Sequence, residues 1–372
     1  MTIGIDARML GKGFGLARYV EQLLIHLFAI DHTNTYVLFV QKSTVFLEVG
    51  IQLPASARIV ECTIPWYSFK EQVSFSHIIK KEQVDLMHFP HWNVPLLYND
   101  PFIVTIHDLI MYHFPRPEAT TLGPAKFWLK DKVHRQVVKH AVNKAKHSIV
   151  TSEFTKHDVH TTLGVPHNRM TVTYQAPFPI SSSPLPKETI HRYGIYKPYI
   201  LYVGAAYPHK NIETLVDAWQ QYVEEYGDTY NLVLAGKKNY FYERLLSRIG
   251  DVPSITFTDF VEDDVLDVLY REAHAFVFPS LYEGFGLPPL EAIARGIPVL
   301  ASSHTCLPEV LGEAALYVDA QSTEQLVSGI HTILTDEYVR SSLMQQGREE
   351  LKRYSWQRLA EETYGVYMTY GS

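Results

Sequence analysis

The sequence predicts an α/β protein made of two doubly wound, Rossmann-like domains that face a central cleft. Three observations predict it. Short runs of strand length alternate with helical patterns through both halves of the chain, and they are apolar at nearly every position, as parallel strands covered on both faces must be. The alternation is interrupted once, by Y-Q-A-P-F-P-I-S-S-S-P-L-P-K over Tyr174 to Lys187, where prolines and serines suit a linker better than helix or strand. A chain of 372 residues that is 46% hydrophobic also exceeds what one core usually organises.

Taken in order, Ile3 to Ile5, Tyr36 to Val40, Arg58 to Cys62, Leu86 to Phe89, Phe102 to Ile106 and Ser148 to Thr151 read as the strands of a first domain, residues 1–178. A linker follows over 179–188. Tyr199 to Val203, Leu232 to Ala235, Ile255 to Phe257, Ala275 to Phe278, Val299 to Ala301 and Ala315 to Val318 are the strands of a second domain, 189–354. A last helix over 355–372 starts S-W-Q-R-L-A-E-E. In open sheets of this kind ligands bind beyond the carboxyl ends of the strands, so the loops that follow them are where chemistry is expected.

Composition narrows the function classes. Cys62 and Cys306 have no paired spacing, which argues against a disulfide scaffold or a cysteine zinc site and for a reducing, cytoplasmic setting. No apolar run approaches the roughly 20 residues that span a bilayer, and M-T-I-G-I-D-A-R enters a strand without a charged leader. The formal charge of −7 and the lack of a reading motif disfavour nucleic acid. One segment runs against the acidic balance: K-F-W-L-K-D-K-V-H-R-Q-V-V-K-H-A-V-N-K-A-K, Lys126 to Lys146, is basic in a helical pattern with Phe127, Trp128 and Leu129. It reads as a solvated helix or as a surface for anionic lipid on the inner face of a membrane.

The richest stretch is S-L-Y-E-G-F-G-L-P-P-L-E-A-I-A-R-G-I-P-V, Ser280 to Val299. Gly284 and Gly286 remove side chains where backbone amides can approach a ligand, and Pro288 and Pro289 favour helix initiation. A helix N-terminus carries unpaired N–H groups and about half a positive charge, which suits a diphosphate, while Glu283 and Glu291 can accept hydrogen bonds from sugar hydroxyls. An ordinary strand-to-helix connection would explain the glycines alone. It does not explain the whole string, with two glutamates separated by seven residues and the downstream A-R-G-I-P-V-L-A-S and L-P-E-V.

That string resembles the retaining, metal-independent glycosyltransferases of family 4. The resemblance runs from I-D-A-R through T-I-H-D-L, V-T-S-E-F-T-K and Y-V-G-A-A-Y-P-H-K-N to the final W-Q-R-L-A helix, most of the chain. It implies the GT-B fold, with the last helix crossing back to the first domain. It also implies transfer from a nucleotide sugar with retention of configuration, and neither metal nor cofactor.

Three further strand-end loops carry expected chemistry. In G-K-G-F-G-L-A-R-Y, Gly11 to Tyr19, a dehydrogenase dinucleotide site is disfavoured: the fingerprint lacks its last glycine or alanine, and no strand-ending acid lies about 20 residues on. By the resemblance, Gly15 is the donor-facing glycine, although Ala17 replaces a second one. In Y-V-G-A-A-Y-P-H-K-N, Lys210 supplies a point charge for the leaving diphosphate, with Gly204 and His209 in the same loop. The arginine that relatives pair with this lysine is replaced by Ala205, Ala206 and Tyr207, and His209 is expected to substitute in part. In V-T-I-H-D-L, His107 ends a strand and is expected at the reacting centre. Asp108 caps the following turn or meets the acceptor, and His88 and His91 in M-H-F-P-H-W-N are expected on the acceptor side. Their spacing fits neither the zincin helix nor a zinc finger.

For the donor, Lys237 after one strand and the backbone of Phe260 and Val261 after the next are expected near the base. Glu291 is expected on ribose, and Glu283 with the backbone of Phe285 to Leu287 on the sugar. The combination of G-K-K-N-Y-F-Y-E with L-P-E-V-L-G-E-A-A-L-Y-V-D looks most like mannosyltransferases of polysaccharide assembly. GDP-mannose is therefore the first donor expected, and a glycan or lipid-linked glycan the acceptor. UDP-glucose, UDP-N-acetylglucosamine or a silent sugar-nucleotide-binding scaffold are the alternatives.

Overall fold

The computed structural model describes residues 1–11, 15–117, 124–179 and 184–371. They form two compact units, Met1–Gln175 with Ser355–Ser372, and Ala176–Tyr354.

The first unit is built on seven parallel strands, β1 (Thr2–Asp6), β2 (Thr35–Val40), β3 (Ala57–Glu61), β4 (Leu86–Phe89), β5 (Phe102–Ile106), β6 (His147–Val150) and β7 (Met170–Val172), in the order β3-β2-β1-β4-β5-β6-β7. The central strands are apolar throughout because both faces are covered: every residue of F-I-V-T-I in β5 is buried. Strand β7 has no counterpart in the sequence reading. Its three residues lie at the edge of the sheet, and the pattern M-T-V is too short to show a period.

The second unit repeats the design with β8 (Tyr199–Val203), β9 (Asn231–Ala235), β10 (Ile255–Asp259), β11 (Ala275–Phe278), β12 (Val299–Ser302) and β13 (Ala315–Val318), all parallel, in the order β10-β9-β8-β11-β12-β13. Each sheet changes its winding direction once, between β1 and β4 in the first and between β8 and β11 in the second. These are the two places where neighbouring loops diverge and leave a crevice.

The last helix, Trp356–Tyr370, belongs to the first unit. The Ser355 side chain accepts from the Arg358 amide at 3.3 Å and starts it, and Trp356, Leu359, Ala360, Val366 and Tyr367 bury its apolar face, which packs on the Gly15–Ile30 helix. Tyr367 reaches the interior of the sheet, where its hydroxyl is 2.7 Å from His88 Nδ1, while His88 Nε2 is 2.8 Å from the Thr105 hydroxyl. His88 is completely buried and has both ring nitrogens occupied, and burial pulls its pKa down to about 3. The expectation that His88 faces the acceptor is therefore corrected: it fastens the last helix to β4 and β5. Alternation along a strand cannot reveal this, because both faces of β4 are covered.

Candidate active site

The carboxyl-end loops of the second sheet gather most of the donor residues expected from sequence. After β8 the chain must pass the neighbouring strand closely. A side chain at Gly236 would place its Cβ 2.0 Å from the Gly204 carbonyl oxygen, and Gly204 itself has φ +153°. Only glycine fits that contact. A short turn, Pro208–Lys210, then leads through Asn211, at φ 60°, into the Ile212–Tyr226 helix, and the Asn211 amide holds the turn by donating to the Ala320 carbonyl at 2.6 Å. Across the switch point, the Leu281 amide donates to the His209 carbonyl at 2.7 Å and ties the β8 and β11 loops together.

That tie brings Lys210 to Glu283. The ammonium donates to Glu283 Oε1 at 2.5 Å, with the two side chains only 18% and 9% exposed, and it lies 5.4 Å from the centre of the Phe278 ring. A cation and an anion are thus held almost out of water at the point where the second sheet opens. The Glu283 amide donates to the Thr305 hydroxyl at 3.2 Å, a fastening that sequence reading missed, since nothing in S-S-H-T-C-L-P marks Thr305 as reaching back.

The rest of the loop is closely packed. Gly286 has φ 93°, a conformation that strains any L side chain, and a Cβ there would also press on the end of the Leu307 side chain at 2.8 Å, so glycine suits this turn. Phe285 is buried edge-on against Tyr354, with ring centres 5.8 Å apart. Glu291, on the Leu287–Ala294 helix, is buried and accepts from the Tyr270 hydroxyl at 2.9 Å. Lys237 is exposed after β9. Phe260 is 57% exposed after β10 and Val261 is buried. The Asp259 carboxylate binds the Lys238 and Phe260 amides, both at 2.8 Å, and locks these two loops together. The His209 side chain is 1% exposed, and its ring stacks with that of Tyr207.

In the first unit, His107 follows β5. Its Nε2 donates to the Pro90 carbonyl at 2.9 Å, and the Gln175 amide donates to Nδ1 at 3.4 Å. The Tyr19 ring meets it edge-on at 4.7 Å. Burial holds its pKa down at about 4, so the imidazole is neutral at physiological pH with its proton on Nε2. Gln175, which orients it, was missed because it stands in the stretch read as linker. Asp108 Oδ1 accepts from the Ile110 amide at 2.9 Å and caps the turn. His91 lies among Tyr67, Trp92 and Pro90, and its buried Nδ1 has no hydrogen-bond partner. Gly15 is the first residue of its helix and has open space around it, while Lys12, Gly13 and Phe14 lie outside the described residues.

Comparison with known proteins gives this geometry its context. The family model described as "Glycosyltransferase Family 4" matches residues 15–176, and "Glycosyl transferases group 1" matches 189–350. The chain is 29% identical to O-antigen chain mannosyltransferase B of Escherichia coli over 76% of its own length and 74% of that protein. It is 26% identical to O-antigen chain mannosyltransferase RfbU of Salmonella typhimurium over 88% and 90%. Among solved structures, sucrose-phosphate synthase from Thermosynechococcus elongatus superposes with a TM-score of 0.75 at 22% identity, covering 99% of this chain and 98% of that one. With one family model on each unit and the GT-B fold beneath both, the chain belongs to the family 4 glycosyltransferases.

Proposed function

We propose that this glycosyltransferase moves a mannosyl group from GDP-mannose to a glycan or lipid-linked glycan, with retention of configuration and without a metal. The observation that carries the reading is the Lys210–Glu283 pair at the switch point of the second sheet. As the bond between the anomeric carbon and the diphosphate oxygen breaks, its electrons go to that oxygen. Lys210 is placed to stabilise this growing charge, with the loop amides of Gly284 to Leu287 beside it. The acceptor oxygen forms its new bond on the same face of the sugar and passes its proton to the leaving phosphate. Glu283 accepts from hydroxyls of the transferred sugar and Glu291 from those of the ribose. The mannosyl donor is supported by the names of the two bacterial relatives.

The test is binding and slow hydrolysis across GDP-, UDP-, ADP- and dTDP-sugars, with Lys210→Ala and Glu283→Gln as controls. Hydrolysis of GDP-mannose lost in both variants is the expected result. Preference for UDP-glucose or UDP-N-acetylglucosamine would move the donor assignment. Tight binding without turnover, with acceptors present, would favour a silent scaffold, the reading that Ala205 to Tyr207 in place of the arginine and Ala17 in place of a glycine support.

Among the described residues no helix is long and apolar enough to cross a membrane. The acceptor reading includes lipid-linked glycans, and the Pro124–Lys144 helix is the surface we assign to anionic lipid. It exposes Trp128, Leu129 and Val133 among exposed Lys126, Lys130, Lys132 and Lys139. Arg135 is set aside from that face: it bonds Asp131 at 2.7 Å and lies 4.6 Å over the Tyr112 ring. Flotation with anionic liposomes is expected to weaken with salt and with Lys130→Glu and Lys139→Glu. Binding that is absent or indifferent to salt removes the membrane from the proposal.

A further inference from the structure

The two glutamates of the Ser280 to Val299 stretch are held by different means. Glu283 is paired to the Lys210 ammonium. Glu291, 6% exposed, is bonded by a neutral hydroxyl: Tyr270 donates to its Oε2 at 2.9 Å from 21 positions earlier in the chain. Tyr270 stands in the last turn of the Asp263–Arg271 helix and is 1% exposed, with its ring centre 5.6 Å from that of Phe276. A buried phenol needs a hydrogen-bond partner, and Glu291 supplies one.

The Leu287–Ala294 helix that carries Glu291 is tied to the same place. Arg295, at its end, donates through Nη1 to the Glu291 carbonyl at 3.1 Å and through Nε to Asp267 Oδ1 at 2.8 Å, and its guanidinium carbon lies 5.1 Å from the centre of the Tyr270 ring. Arg271 Nε binds the other oxygen of Asp267 at 2.8 Å. The Arg295 and Asp267 side chains are only 7% and 3% exposed, so an ion pair that water hardly reaches joins the two helices behind Tyr270 and Glu291. Arg271 and Arg295 balance the carboxylates of Asp267 and Glu291, and buried charges persist when they are compensated and hydrogen-bonded in this way.

These contacts fix the orientation of the carboxylate as well as its position. The last torsion of a glutamate is broad when nothing holds it, and a donor fixed on one oxygen sets the plane in which the remaining lone pairs lie. The two hydroxyls of a ribose are vicinal and cis, so a carboxylate receives them well only when that plane matches theirs. A group already held at that angle loses little freedom when the ligand arrives.

We infer that Tyr270 is a positioning residue for the nucleotide: it holds the Glu291 carboxylate at the angle that receives ribose hydroxyls and so sets the preference for a ribonucleotide over a deoxyribonucleotide. The inference rests on the ribose role proposed for Glu291 and names the residue on which that role depends. Asp267 and Arg295 support Tyr270 from behind.

Calorimetry with GDP and UDP, each beside its 2′-deoxy and 3′-deoxy forms, tests it on wild type, Tyr270→Phe, Glu291→Gln and the double variant. Wild type is expected to bind one ribonucleotide more tightly than at least one of its deoxy forms. Tyr270→Phe keeps the packed ring and removes only the hydroxyl. Ribonucleotide affinity should then fall roughly tenfold, the scale of one lost hydrogen bond to a charged group, while the deoxy form binds as it does to wild type. In the Glu291→Gln background the same change should add nothing, because the two residues act through one contact. In transfer assays the loss should appear in KM for the nucleotide sugar rather than in kcat. A tyrosine with a merely structural role would weaken ribo and deoxy forms alike. That outcome, or a ribose preference kept in Tyr270→Phe but lost in Glu291→Gln, overturns the inference and leaves the role of Glu291 standing. A preference that survives Glu291→Gln, or that wild type lacks, removes the ribose role and the inference together.

Discussion

Lys210→Ala is expected to lower transfer by about a hundred- to a thousandfold, the scale found when one donor to a developing negative charge is removed from a water-poor site. Glu283→Gln should fall in the same range, because its carboxylate is held by Lys210 at 2.5 Å and both act at one place. The two variants differ in what they leave behind. Removing the lysine strands a carboxylate that is 9% exposed, and removing the glutamate's charge strands an ammonium that is 18% exposed. Each single change should cost about 1–3 kcal/mol of stability for the unpaired group. The double variant Lys210→Ala with Glu283→Gln leaves no stranded charge and should recover part of that stability while recovering none of the transfer. Melting midpoints measured beside kcat/KM separate the roles. Wild-type turnover in either single variant would remove the pair from the mechanism, and additive stability losses would mean that the pair is not coupled in the folded protein.

Acidification should produce the second large effect. Burial holds His88 at about 3 and His107, His134 and His147 at about 4, all below the ordinary value of 6.5. Because these folded-state values are depressed, the unfolded chain takes up protons first as pH falls. Stability is therefore full above about 6.5 and is lost on the way down toward 4, by about 1.4 kcal/mol per pH unit for each histidine that stays neutral when folded. Asp31, held near 2 despite its burial by hydrogen bonds from Tyr36, Asn34 and Thr33, extends the loss to lower pH. Glu71, raised by burial, opposes it. Denaturant midpoints from pH 7.5 to 5 should fall steeply, and His147→Gln should flatten the slope. A midpoint indifferent to pH over that range would contradict the buried neutral histidines. By the same logic His107 does not titrate between pH 6 and 8, so a limb in the rate profile there must belong to another group.

Strand positions were legible in the sequence because a parallel strand covered on both faces is largely apolar, and the twelve stretches read as strands are among the thirteen observed, although β3 at the sheet edge is only partly covered. The glycine-rich turn after β11 and the lysine after β8 were legible as residue types suited to a diphosphate. What periodicity records is burial, and burial does not name a partner. That Lys210 meets Glu283, 73 positions away, follows from the sheet order, which sets β8 beside β11 although two strands intervene in the chain. The same order, by setting β1 beside β4, brings Asp6 to a small pocket that His91 and Asn93 also line, while His88, three positions before His91, turns inward to Tyr367. The sequence by itself determined the fold class, the strand ends and the chemical types available at them. The tertiary structure alone decided which of those groups face one another, because long-range pairing is settled by crossovers and packing rather than by any local pattern.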